Sequence, residues 1–520
     1  MKTPAKTKEE TNKAEPIGGS VHPFRAVRRA GVPLCVFESA DPAQTIKACV
    51  KSMNGRADTQ PVLTWDIVQG LFALNKPGAS FLQNNFADDA ALLIGTQNPS
   101  ECLKFLADKA PKDAVVFWHN AHRTIENESV AQGIWNLRDK FKLRHGTLVM
   151  LAPNLTLPSE LKHDAIIITD ALPGERELGD VLDQTAKDAA GPDATGPVPI
   201  ENRDVVIDIL RGLSAFAAEQ VLAMSISPNG VDMDGLWQRK RKMIEQTPGL
   251  AVWTGGETFA DLGGLDNLKG FLTRVLTSGN TPVRAIGFID EIEKGLAGSA
   301  GDTSGTSQDQ LQVFLKVMQD LNIPGIILLG HAGTGKSAIA KAAGQVAQCP
   351  VIAIDTGAMK GSLVGSSEAR IRAAMEVFKA VSQGKGLFIA TCNKIASLPP
   401  ELRRRFTLGT FFVDLPTQDE RNVIWNIWLK RYDLKTGSIP EDTGWTGAEV
   451  KACCEVAHRT GLPLKEAAQF VVPITKSAAD QVAALRNQAA GRFISASYAG
   501  VYQLPEQREQ NAESGRRMEN

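Results

Sequence analysis

Short apolar runs closed by glycine, proline or charged residues recur along the chain: Pro33–Phe37, Ala114–Trp118, Leu148–Leu151 and Ala165–Thr169 in its first part, then Ala285–Ile289, Ile326–Leu329, Val351–Asp355, Leu387–Thr391 and Thr410–Val413. Short apolar runs bounded in this way read as strands. Helices are predicted at Trp237–Gln246, Gln310–Leu321, Ser367–Val381 and Ala478–Gly491; in the last, Ala, Val and Leu recur three and four apart. Strands alternating with helices place the chain in the α/β class.

One of these runs, Ile326–Leu329, leads into Gly330-His331-Ala332-Gly333-Thr334-Gly335-Lys336-Ser337 and then into a helical pattern. Strand, glycine-rich loop and helix in that order form a phosphate loop. Gly330, Gly333 and Gly335 let consecutive backbone N–H groups, that of Thr334 among them, turn onto the phosphates of a nucleoside triphosphate at a helix N-terminus, where the dipole favours negative charge. Lys336 reaches the terminal phosphates and Ser337 ligates Mg²⁺. Phosphoryl transfer also needs a carboxylate for the metal and a group that orients water, usually on a neighbouring strand. The run Ala285–Ile289 ends in Asp290-Glu291, a metal-anchoring aspartate and a candidate base.

With Ile292-Glu293-Lys294-Gly295-Leu296-Ala297-Gly298 following that pair, the chain resembles an AAA-type ATPase. One block has moved: Pro282 to Leu321, with the acidic strand, a Gly/Ser/Thr-rich loop and a helix, precedes the phosphate loop instead of following it. The resemblance implies a P-loop core whose parallel sheet keeps the order 5-1-4-3-2 with rewired connections, since skipping one neighbour spans only about 10 Å. It further implies that Asn393, after the strand Leu387–Thr391, helps orient the attacking water. Arg403, Arg404 and Arg405, in Leu398-Pro399-Pro400-Glu401-Leu402-Arg403-Arg404-Arg405-Phe406, match the segment that offers an arginine finger to a neighbouring subunit. Their spacing lacks the usual glycine, which leaves open which one is the finger.

The same resemblance assigns Asp261 and Gly263, in Asp261-Leu262-Gly263-Gly264-Leu265, to the adenine side of the site. Gly447 and Ala448, in Thr446-Gly447-Ala448-Glu449-Val450, fall at the start of a lid helix; Gly447 also suits a helix cap. No arginine stands near Gly447, which fits the remodelling branch of the family rather than helicase loaders. Leu363 and Val364, at the tip of Met359–Glu368, match a substrate-gripping loop of the ring's central channel, and Gly295–Thr306 matches the second such loop. Flexible surface connections are the alternative for both.

The first part of the chain repeats the pattern without its chemistry. Leu148–Leu161 and Leu387–Leu402 share a strand, an Asn and Leu-Pro-x-Glu-Leu, and Ala165–Pro173 parallels Thr410–Pro416. After Pro33–Phe37 stands Glu38-Ser39-Ala40-Asp41-Pro42 with no Gly-Lys-Ser, and the counterpart of the acidic strand ends in His119-Asn120-Ala121-His122. Two histidines make a metal pair only with further ligands. A degenerate AAA-like domain ahead of an active one is similar to the chloroplast-open-reading-frame group of AAA proteins from cyanobacteria and plastids.

Composition refines this little. The 520 residues are 43% apolar and carry a net charge of −1, so nothing marks a nucleic-acid binder in bulk; Arg239-Lys240-Arg241-Lys242 is a local basic cluster. Seven scattered cysteines give neither a disulfide framework nor a zinc spacing and point to a cytoplasmic, reducing location. No apolar run is long enough to span a membrane, and the N-terminus lacks a signal peptide. The expected partition is a tail at 1–20, a degenerate AAA-like domain with its own helical lid at 21–226, a linker helix at 227–255, the permuted ATPase core at 256–435, a helical lid at 436–502 and a disordered tail at 503–520. The functional expectation, from the resemblance, is an ATPase with ATP and Mg²⁺ as cofactors, assembling as a homo-oligomeric, hexameric ring that remodels or threads a protein substrate. A nucleotide-gated scaffold or switch, and a nucleic-acid motor or loader, are the alternatives.

Overall fold

The computed structural model describes residues 22–86, 90–191, 196–227, 229–253, 255–277, 282–293, 318–319, 322–355, 358, 366–394, 400–435 and 439–508. The chain forms two compact units, Met1–Ala171 and Leu172–Asn520.

In the first unit, β1 (Leu34–Glu38), β2 (Val62–Asp66), β3 (Gly70–Ala73), β4 (Val115–Trp118), β5 (Thr147–Ala152) and β6 (Ile166–Thr169) form one sheet in the order β3-β2-β4-β5-β1-β6. All neighbours are parallel except the β2–β3 hairpin. Successive residues of a strand enter opposite cores, which is why the runs are apolar throughout. Val116 and Trp118 pack with Leu103, Leu137 and Phe141, while Val115 and Phe117 pack with Phe24, Phe37 and Cys49. β6 is the edge strand and exposes Ile166 and Ile167.

The second unit holds a small ribbon, β7 (Ile226–Ser227) with β8 (Gly230–Val231), and a seven-stranded sheet. The sheet comprises β9 (Leu250–Trp253), β10 (Ala285–Ile289), β11 (Gly325–Gly330), β12 (Val351–Ile354), β13 (Gly386–Cys392), β14 (Thr410–Val413) and β15 (Ile494–Ser495), ordered β15-β14-β11-β13-β10-β12-β9. Its central strands run β14-β11-β13-β10-β12, all parallel, which is the 5-1-4-3-2 order with the acidic strand β10 in its usual place although it precedes β11 in sequence. Gly287 makes that place tight, since a Cβ there would lie 2.6 Å from the Phe388 ring of β13.

Several expected boundaries move. The helices Glu175–Ala190, Arg203–Leu210 and Ala215–Ala223, expected as the first domain's lid, belong to the second unit. Leu178, Leu182, Val206, Leu210 and Leu222 share one core with Phe378, Val381 and Phe388, and Gly212 approaches Val381 closely. The stretch expected as a linker contributes β9, which pairs antiparallel with β12. The second lid starts earlier than expected, at the helix Gln418–Arg431, and shares its core with the helix Gly447–Thr460 through Trp425, Leu429, Val450 and Cys454. The helix Ala479–Ala489 packs Leu485 and Ala489 into the sheet core rather than the lid, and β15 extends the sheet itself. Order persists past 503: Gln503 N donates to Tyr498 Oη at 2.8 Å, and a helical turn reaches residue 508. Residues 1–20 lie outside the described residues, as do 509–520. Among the described residues no helix is long and apolar enough to cross a membrane.

Candidate nucleotide site

β11 ends at Gly330, packed so closely on β14 that a Cβ would sit 2.2 Å from the Val413 carbonyl oxygen. The loop then turns through Gly333 and Gly335, both left-handed at φ 80° and 93°, and the helix Lys336–Ala347 starts with no acidic residue in its first turn. Backbone N–H groups and the positive helix end therefore face one spot, the requirement for holding phosphate. Lys336 Nζ donates to the carbonyls of Gly330 at 2.9 Å and His331 at 2.5 Å, within its own loop. Burial pushes its ammonium down to about 8, against the pull of Asp290 and Glu293. Among the described residues this buried ammonium is held by carbonyls alone, a site prepared for an anion. Thr334 Oγ1 donates to the His331 carbonyl at 2.8 Å and closes the loop on itself.

β10 delivers the acidic pair beside this loop. Ser337 Oγ donates to Asp290 Oδ1 at 3.0 Å, so a hydroxyl and a carboxylate, the hard oxygen donors that Mg²⁺ prefers, meet where the helix begins. Asn393 Nδ2 donates to Glu291 Oε1 at 3.1 Å, and Asn393 N donates to Glu293 Oε1 at 2.9 Å. Glu291 itself has a left-handed backbone, φ 46°. Thr391, which sequence reasoning passed over as one more residue of an apolar strand, donates to Asp290 Oδ1 at 2.5 Å and accepts from Glu291 N at 2.8 Å.

Thr334, Lys336, Ser337, Asp290, Glu291, Thr391 and Asn393 line a cleft of about 490 Å³ with Asp261, Gly263, Gly447 and Ala448. Asp261 accepts from Thr258 N at 2.7 Å, which fixes the turn entering the cleft. A Cβ on Gly263 would lie 2.4 Å from Ile424, so the lid helix presses on that turn. The helix Gly447–Thr460 carries a capping box between Thr446 and Glu449, and its Ala448 N donates to the Gly333 carbonyl at 3.2 Å. The lid is thus bonded directly to the phosphate loop. Lys341, Trp428, Arg431 and Lys451 also line the cleft, and no motif in the sequence singled them out.

Arg403, Arg404 and Arg405 lie on the short helix Pro400–Arg405, and none lines this cleft. Arg405 Nη2 donates to Gln319 Oε1 at 2.7 Å, while Arg403 Nε is buried without a partner among the described residues. Leu363, Val364 and the Gly295–Thr306 loop lie outside the described residues. In the first unit burial lowers the pKa of His119 and His122, and among the described residues no cluster of metal-ligating side chains exists.

Residues 21–169 match the family described as the SpoVK-like AAA ATPase N-terminal domain, and residues 326–385 match the ATPase family associated with various cellular activities. The second match ends one residue before β13, which begins at Gly386. Uncharacterized AAA domain-containing proteins named ycf46 are similar along most of the chain. That of Guillardia theta is 25% identical over 488 residues, 83% of this chain and 85% of the relative; that of Pyropia yezoensis is 24% identical over 495 residues, 84% and 89%. Two crystal structures of the FIGL-1 AAA domain, one in complex with ADP, cover 48% and 42% of this chain and 93% and 96% of their own, at 16% and 17% identity and TM-scores of 0.29 and 0.25. Residues 326–385 thus match an AAA ATPase family behind a match to a SpoVK-like N-terminal domain, and the chain is similar over most of its length to the ycf46 AAA proteins.

Proposed function

We propose that this chain hydrolyses ATP and couples the reaction to remodelling or threading of a protein through a homo-oligomeric, hexameric ring in a reducing, cytoplasmic compartment. The observation that carries the reading is the meeting of Lys336, Ser337, Asp290, Glu291 and Asn393 in one cleft, drawn from three strands that the chain visits out of the usual order. Lys336 pairs with the terminal phosphates once it leaves its own loop carbonyls. Glu291 takes the proton of the attacking water, and Asn393 holds that carboxylate in line. Ser337 and Asp290 would hold Mg²⁺, which supplies charge neutralisation on the phosphates. An arginine among Arg403, Arg404 and Arg405 acts across the subunit boundary. All seven cysteines are unpaired, in keeping with that compartment.

The direct bond from Ala448 to the phosphate loop also supports a second reading, a slow nucleotide-gated switch, because it ties lid position to loop occupancy. Two variants separate the readings. Lys336→Ala should abolish nucleotide binding. Glu291→Gln should bind ATP normally and lose about 10²- to 10⁴-fold in turnover, the usual worth of a general base. Unchanged turnover in Glu291→Gln would remove β10 from the active site, and a wild-type rate too slow to measure would favour the switch.

A further inference from the structure

We propose that Thr391 is a positioning residue whose single hydroxyl sets the geometry of the acidic pair, accepting from the Glu291 backbone and donating to the Asp290 carboxylate. The inference rests on reading the cleft as an ATPase site.

Three observations lead there. Thr391 is 1% exposed on β13, so its hydroxyl has no water to fall back on and must find partners in the protein. It finds two, Asp290 Oδ1 at 2.5 Å and Glu291 N at 2.8 Å, both across the strand boundary on β10's end. Asp290 Oδ1 also takes the Ser337 hydroxyl at 3.0 Å, and among the described residues no hydrogen bond engages Oδ2. Both hydroxyls thus commit one carboxylate oxygen and leave the other with its lone pairs.

The second contact concerns backbone strain. Glu291 has φ 46°, a left-handed conformation that a non-glycine residue keeps only when its surroundings enforce it. The bond from Glu291 N to Thr391 is such an enforcement. It aims the Glu291 side chain back at Asn393, whose Nδ2 lies 3.1 Å from Oε1. A group in this position must donate and accept at once. Serine does both, whereas valine keeps the shape and does neither.

The test compares Thr391→Val, Thr391→Ser and Thr391→Ala in the full chain. A fluorescent ADP is titrated with and without Mg²⁺, and steady-state ATP turnover is measured. Thr391→Val should keep the metal-free ADP affinity of the wild type and lose about tenfold of the tightening that Mg²⁺ brings, as supporting-shell changes do. Its kcat should fall about 10²-fold with KM nearly unchanged, the effect of misplacing a reacting group by about an ångström. Thr391→Ser should restore both, and Thr391→Ala should match the valine variant. Wild-type Mg²⁺ tightening and kcat in Thr391→Val would overturn the proposal, and so would a serine variant as damaged as the valine one. Should the valine variant lose its cooperative thermal melt, the alanine and serine variants carry the comparison. A wild type without turnover would sink the ATPase reading alone, leaving the ADP titration to decide Thr391.

Discussion

At the end of β1 in the first unit the chain passes from Glu38 through Ser39, Ala40 and Asp41 directly into the helix Pro42–Ser52, whereas at the end of β11 it takes a six-residue-motif loop, Gly330 to Gly335, before the helix Lys336–Ala347. The strand order around these two corners is the same: β6-β1-β5-β4-β2 in one sheet, β14-β11-β13-β10-β12 in the other. Their chemistry differs. In the first unit Asp41 accepts from Gln44 N at 3.1 Å, so the protein's own carboxylate takes the helix N-terminus that a phosphate would need. Thr45 Oγ1 lies 2.5 Å from Asp170 Oδ2 and 2.7 Å from Ser39 Oγ, closing the corner with further side chains. His119 follows β4 where Asp290 follows β10. Sheet order depends on apolar residues spread along every strand and survives loss of a few loop residues; phosphate binding depends on those few.

Replacing Arg403, Arg404 and Arg405 by Ala should leave ATP affinity nearly intact and lower turnover by roughly 10³-fold or more, the worth of an arginine finger. Mixing that variant with Glu291→Gln should recover part of the activity, because some interfaces then combine an intact acidic strand with an intact finger. Turnover independent of protein concentration, with no rescue on mixing, would confine the active site to one subunit and remove the ring.

A smaller effect is expected at Gly333. Its φ of 80° and the 2.9 Å that would separate a Cβ from Ala448 Cβ leave no room for a side chain. Gly333→Val should cost about tenfold in nucleotide affinity, from the left-handed penalty of about 1–2 kcal/mol. Undiminished affinity would show that the loop can adopt another shape when filled.

Much of this second corner was legible in the chain, because the phosphate loop and the acidic pair are contiguous motifs whose spacing carries their mechanism. The corner's supports were not. Thr391 reads as a β-branched residue in an apolar run, and only the register of β13 against β10, Ile289 opposite Ala390, brings it to the acidic pair. The helices Glu175–Ala190 and Arg203–Leu210 show apolar faces in sequence, but a face does not state which sheet it covers. Leu178, Leu182 and Val206 would suit either, and chain proximity pointed to the first. β15 is too short to carry a periodicity, so its place beside β14 is a tertiary fact.

Lys336 gives the comparison a pH signature that the first corner cannot have. Its ammonium titrates at about 8 because burial disfavours the charge, below the ordinary 10.5. Between those values the unfolded chain holds the proton that the folded one has released, so this group makes stability rise with pH across that window; below it both forms are charged and the burial penalty is complete. Nucleotide binding runs the other way. Phosphate favours the ammonium, so affinity should fall above pH 8 by up to about tenfold per unit, with proton uptake on binding. Calorimetry in buffers of different ionisation enthalpy reads that uptake directly, and binding without it at pH 9 would place the lysine charge elsewhere.

The smallest effect belongs to the first corner. In the full chain carrying Lys336→Ala, any remaining ATP binding must come from the first unit, and none is expected, because Asp41 caps the helix where phosphate would sit and no lysine or glycine-rich loop accompanies it. Asp41→Ala on the wild-type background should then leave ATP affinity and turnover unchanged while lowering stability by about 1 kcal/mol, the ordinary value of an N-cap side chain. Thermal melts read the second quantity and nucleotide titration the first. If removing the carboxylate instead creates ATP binding in the Lys336→Ala background, the first corner holds a masked phosphate site, and the two units differ by one blocking side chain rather than by the loss of the whole loop.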